Sequence, residues 1–227
     1  MNTLIFNGME ARVEKKRIKH MYIRVYPPDG GVTITAPLRT PDEAIRRFAE
    51  SRAGWVEKQR AKLAWQPAKT ERTYTTGETC FLWGEPYRLE VMRGTRDAAF
   101  TDGKTIVLQV RGDGTAERRA AVLGNFYRDE LARAIPSLLE KGERIVGVRA
   151  QEWRIRSMKT RWGSCNTRER RIWLNLRLAQ KPPECLGYVI VHELCHLLEH
   201  GHNAVFWGYM DRFYPAWREV RKTLNGV

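Results

Sequence analysis

The chain has 227 residues, 42% of them hydrophobic, and a formal net charge of +14. That is room for one large domain or two small ones with a packed core, and the charge predicts an anionic partner: nucleic acid, nucleotide phosphates or an acidic surface. Four cysteines without a C-x-x-C pair exclude a disulfide scaffold, and no apolar run approaches the roughly 18 residues of a membrane span. The first residues, Met1 to Gly8, lack the basic flank and apolar core of a signal peptide, so the expected location is the reduced cytoplasm with no membrane contact.

Three sections follow in chain order. Residues 1–66 form an N-terminal region in which Met21–Tyr26 and Val32–Pro37 alternate like strands around a Pro27-Pro28-Asp29-Gly30-Gly31 turn, which predicts a β-hairpin. Thr40-Pro41-Asp42-Glu43 is then a helix start, and Ala44, Ile45, Phe48, Ala49, Trp55 and Val56 follow at helical spacing. Residues 67–115 read as a β-rich connecting region, polar to Gly77 and then strand-like around 79–83, 87–91 and 105–110. Residues 116–227 form the third section. It opens on an amphipathic helix, 116–141, with Val122, Phe126, Leu131, Ile135 and Leu138 on one side and a potential kink at Pro136. Strands are expected at 153–156 and 172–176, and a last helix near 203–225 whose aromatics read as core.

Between those last elements lies the densest chemistry in the chain. Four of its five histidines, His192, His196, His200 and His202, fall within eleven residues around Glu193. Pro182, Pro183 and Glu184 suit a helix start, and the apolar run through Val191 marks that helix as buried. Histidines four apart on a helix share a face, so His192 and His196 can meet one metal, and Glu193 beside them can act on a water in an open coordination position. The H-E-x-x-H spacing is that of zinc-dependent hydrolases. On an unbroken helix His202 would lie about 15 Å along the axis from His192. Gly201, read as the helix stop, lets the chain turn back and makes His202 the expected third ligand, with His200 as its rival. Cys195 is turned toward the core. His20, in a basic stretch, reads as a surface residue.

The run Arg161-Trp162-Gly163-Ser164-Cys165, then Leu174-Asn175, then Tyr188 to His196, then His202 and Phe206-Trp207, resembles the YgjP-like family of SprT-type metallopeptidase-fold proteins. The resemblance is strong over about 145–227 and weaker in the N-terminal hairpin and helix. It implies an α+β fold, a small zincin-like catalytic domain with a backing helix, short sheet, H-E-x-x-H helix and C-terminal helix, preceded by the hairpin and helix region. It also implies a metal held by His192, His196 and His202, not His200. The position three after the second histidine is Glu199, where metzincins carry glycine.

The expected chemistry is hydrolysis by a water bound to Zn2+, or to manganese, cobalt or nickel, with Glu193 as general base. A peptide is the first expected substrate, and strand 172–178 a potential rim for pairing with it. A nucleotide is the second: the family carries a UTP pyrophosphatase assignment, and residues 151–171 hold seven cations against two acids, with Arg161 the candidate anion contact. A DNA-associated protease, using the basic surface to hold nucleic acid, is the third.

Overall fold

Where the chain reverses it does so on short, chemically specified turns, and these set the sheets. A computed structural model describes residues 2–26, 29–65, 72–112 and 114–226. At the N-terminus Asn7 and Gly8 both take positive φ, 45° and 72°, the two-residue turn whose twist matches paired strands. It joins β1 (Asn2–Phe6) to β2 (Met9–Lys16), a hairpin absent from the sequence reading. The expected hairpin is β3 (Tyr22–Tyr26) with β4 (Gly31–Pro37), antiparallel; its Pro27-Pro28 turn lies outside the described residues. The sheet order is β1-β2-β4-β3. The expected single helix is two, α1 (Asp42–Ser51) and α2 (Ala53–Trp65), and Pro41 stands at the first N-cap with no side-chain cap bond. Ile45, Ala49, Ala53 and Val56 pack with Phe6, Val32, Ile34 and Ala36 in a core of their own.

The chain divides into two compact units, Met1–Glu71 and Arg72–Val227. From residue 72 on, the stretch expected as a β-rich connecting region therefore shares a unit with 116–227. It forms a sheet of order β5-β6-β8-β7 from β5 (Thr79–Leu82), β6 (Glu85–Gly94), β7 (Ala98–Asp102) and β8 (Thr105–Arg111).

The fold is α+β. Helix α3 (Ala116–Val146) starts where Thr115 Oγ1 accepts from the Arg118 N–H at 3.3 Å, and it runs through Pro136. Its apolar side, Val122, Phe126, Leu131 and Ile135 among others, backs the site-bearing helix α4 (Pro183–Cys195) in the second core. A three-stranded sheet of order β10-β11-β9 lies over α4. Its strands are β9 (Glu152–Arg156), β10 (Gly163–Asn166) and β11 (Arg171–Asn175). The expected rim strand, 172–178, is mistaken: β11 is paired on both sides and continues into a 3-10 turn (Leu176–Gln180), and the edges of this sheet are β9 and β10, of which β10 lines the cleft. The expected last helix is broken into α5 (Ala204–Phe213) and α6 (Trp217–Asn225), because Pro215 has no N–H to continue the ladder. No described helix is long and apolar enough to cross a membrane.

Candidate metal centre

Helix α4 begins as its residues require, with Pro182 at the N-cap, Pro183 in the first turn and Glu184 at the positive end of the dipole. It ends earlier than Gly201. Its last residue is Cys195, His196 is the C-cap, and Leu197 and Leu198 close the turn onto the carbonyls of Leu194 and Cys195 at 2.9 and 3.0 Å. Gly201 does not take a left-handed conformation; its N–H donates to Glu199 Oε1 at 3.1 Å. The stop is therefore made by side chains. The His196 ring meets the Glu199 carbonyl through Nδ1 at 3.1 Å, and Glu199 in turn holds the loop that returns toward α4.

That loop brings His202 back. The ligand atoms of His192, His196 and His202 all lie within 4.8 Å of one another, and the Nε2 atoms of His192 and His202 stand 3.0 Å apart. His200 is elsewhere: its Nε2 pairs with Thr167 Oγ1 at 2.9 Å, tying the β10–β11 turn to the histidine loop. His20 is in the N-terminal unit and outside this group.

The three rings fit a metal. Two nitrogens bound to one zinc at about 2.0–2.1 Å approach each other at about 3–4 Å, which is the spacing of the Nε2 pair. His192 Nδ1 is a buried polar atom with no hydrogen-bond partner among the described residues. With its Nδ1 on a carbonyl, His196 carries its proton there and leaves Nε2 as a bare donor. Burial, then the neighbouring imidazoles and Arg221, push His192 down to about 3, and burial also lowers His196 and His202. All three rings are thus neutral near pH 7, the form that binds a cation. His202 is held on its other face by Trp207, whose ring stacks on it at 5.6 Å and whose Nε1 donates to the His202 carbonyl at 3.0 Å. Trp207 packs against the core, as the sequence reading expects, and also lines the cleft.

Glu193 is 4% exposed and faces β10. Burial drives its carboxyl up to about 8, and the Arg161 cation opposes the rise. The approach is close enough that a Cβ on Gly163 would lie 2.8 Å from Glu193 Cγ and equally near Val189 Cγ1, and nearer still to Oε1. Position 163 therefore has no room for a side chain. Asn175, buried at 2% exposure, fixes the segment that leads into β10. Its Nδ2 donates to the carbonyls of Met158 and Arg161 at 2.9 and 2.6 Å, and its Oδ1 accepts from the Arg177 N–H at 3.1 Å. Sequence reasoning assigned neither Gly163 nor Asn175 a role; their side chains carry no reactive group, and the signal lies in contacts.

A cleft of about 740 Å³ opens over the histidines and Glu193 between β10 and α6. Of the cation cluster at 154–171, Arg161 enters it, while Arg154 and Arg171 pair with Glu152 and Arg170 donates to the Arg149 carbonyl.

The YgjP-like metallopeptidase domain matches residues 19–226 of the sequence. The chain belongs to the YgjP-like family. The domain that defines this family is a metallopeptidase domain, and His192, His196 and His202 are a group that could hold a metal ion. Among characterised proteins, an S-adenosylmethionine:tRNA ribosyltransferase-isomerase of Anaeromyxobacter sp. (strain Fw109-5) is 26% identical over 162 residues, 70% of this chain and 46% of that protein. This YgjP-like chain thus spans less than half of that relative's length. Among solved structures, the metallopeptidase zymogen of Pyrococcus abyssi abylysin is similar at 24% identity and a TM-score of 0.38, over 40% of this chain and 92% of that one.

Proposed function

We propose that this protein is a zinc-dependent peptidase in which His192, His196 and His202 hold the ion and Glu193 is the general base. The observation that carries the reading is one cleft in which three neutral imidazoles, a buried carboxyl and a free strand edge meet. A zinc ion held by His192, His196 and His202 would supply Lewis acidity, acidifying a water toward neutral pH and countering negative charge as it develops on the attacked oxygen. The remaining work falls to the chain. The β10 edge, Gly163 to Asn166, offers unpaired backbone groups to an extended peptide and sets its register over the histidines. Glu193, packed against Gly163, takes the proton of the attacking water and returns it to the leaving amine. His196 is held in register by the Glu199 carbonyl and His202 by Trp207.

The open β10 edge beside the histidines favours a peptide over UTP as substrate, because an extended peptide can pair with it and a nucleotide cannot. The test is a comparison of the zinc-loaded protein with Glu193→Gln on casein, on a DNA-bound protein and on UTP. Casein is cleaved, and Glu193→Gln lowers that rate by roughly 10²–10⁴-fold with zinc retained. UTP hydrolysis with casein untouched, or an unimpaired Glu193→Gln, overturns the proposal.

A further inference from the structure

One end of the cleft gathers cations that form no close ion pair with a described carboxylate, although the charge of Arg161 is felt by Glu193. Trp162, at the entry to β10, donates its Nε1–H to Asn225 Oδ1 at 3.2 Å and so ties the strand to the end of α6. Four cations gather at this joint. Arg177 and Lys181 stand over the Trp162 ring at 5.1 and 5.6 Å, and Arg221 over Trp207 and Trp217 at 5.4 and 6.0 Å. Arg161 precedes Trp162 and lines the cleft with Arg221. None of the four enters an ion pair among the described residues. Their neighbours on α6 differ: Arg218 is paired with Asp211 and Lys222 with Glu219.

An aromatic face holds a guanidinium in place without cancelling its charge, and leaves its fork of N–H donors for a planar anion. Neither Arg161 nor Arg221 spends its guanidinium N–H groups on a hydrogen bond to another described residue, so both forks are available to a molecule in the cleft. Toward the other end of β10 the lining holds Thr167 and His200, whose side chains pair, and no further Lys or Arg among the described residues. Charge along the cleft is therefore polarised, cationic toward α6. A peptide paired with β10 projects alternate side chains toward the cleft floor, and one of them reaches the Arg161–Arg221 end.

We infer that the α6 end of the cleft is a carboxylate subsite: Arg221 and Arg161 select peptides bearing an Asp or Glu side chain, or a free C-terminus, on that side of the attacked bond. The inference rests on the peptidase reading above and adds the substrate class. Its test uses one peptide with both ends blocked, carrying Glu, Gln or Lys on either side of a single cleavable bond, and a Gln version with a free C-terminus. Each is measured for kcat and KM with the zinc-loaded protein, and for binding to Glu193→Gln by tryptophan fluorescence.

A carboxylate on one side of the bond lowers KM roughly ten-fold relative to Gln, as a charge-assisted hydrogen bond to arginine would. Arg221→Gln abolishes the preference, Arg221→Lys restores part of it, and Arg221→Glu turns it toward Lys. Zinc content and thermal unfolding of each variant establish that the fold is kept. Whether the blocked Glu peptide or the free C-terminus gains more identifies the source of the carboxylate, and a gain by either supports the subsite. Equal KM and binding across the whole peptide set overturn the subsite and leave the peptidase standing. No peptide cleaved or bound, with UTP hydrolysed, overturns both.

Discussion

Gly163→Ala adds one methyl group at the point where β10 meets the general base. The new Cβ would lie 2.8 Å from Glu193 Cγ and from Val189 Cγ1, whereas ordinary contact begins at 3.4 Å. Glu193 must therefore move by about 0.6 Å at Cγ, and by more at Oε1, or the strand must lift by as much. Val189 is 3% exposed and packed in the core, so the strain is not relieved on that side. Overpacking of this kind costs about 1–3 kcal/mol of stability. The larger effect is on rate. A catalytic group needs its position to within about 0.5 Å, and an error near 1 Å costs on the order of 10²-fold. Gly163→Ala is expected to lower kcat on casein by roughly ten- to a hundred-fold, with KM little changed and one zinc per chain retained. The assay is steady-state cleavage beside metal analysis and a thermal melt. A folded, zinc-loaded Gly163→Ala with wild-type kcat would refute the placement of Glu193 against β10.

Asn175→Ala leaves the Met158 and Arg161 carbonyls and the Arg177 N–H without their partner inside the protein. A loss of about 2–4 kcal/mol in denaturant unfolding is expected, with KM rising because the segment into β10 is no longer fixed; a loss below about 0.5 kcal/mol contradicts the role given to this side chain. Asp97 accepts from Arg118 Nε at 3.0 Å and from the Arg111 N–H at 2.8 Å, and these bonds hold its carboxyl below its ordinary 3.8. A group lowered by folding contributes fully above its unfolded value, and that contribution is lost as the pH falls below that value and through the lower folded one. The Tm of Asp97→Asn should therefore lie below wild type near neutral pH and converge with it below about pH 3.8, where a constant gap would contradict the pairing.

Much of the site was legible because its chemistry is local. The spacing of His192 and His196 follows from one helical turn, and Pro182-Pro183-Glu184 marks where that helix begins. The helix end was not legible. Gly201 looked like the stop, yet the chain leaves the helix at His196, where the ring and the Glu199 carbonyl make a closure that no propensity describes. Trp207 packs against the core as an aromatic at helical spacing usually does; its second role, stacking on His202, comes from the turn at Asn203 that starts α5 just after the histidine. Strand β10 escaped detection because Gly163-Ser164-Cys165-Asn166 has none of the β-branched residues that mark a strand, and it exists through pairing with β11. The β1–β2 hairpin is the opposite case, since Asn7-Gly8 is a strong local turn signal and was present to be read.

The central claim is that one metal ion is held by His192, His196 and His202 beside Glu193. Its most direct test is the zinc content, after equilibration and gel filtration, of wild type, His202→Ala and His200→Ala. Wild type and His200→Ala should each carry one zinc per chain, and His202→Ala close to none, since losing one of three ligands lowers zinc affinity by orders of magnitude. Full occupancy in His202→Ala, with loss in His200→Ala, would contradict the account.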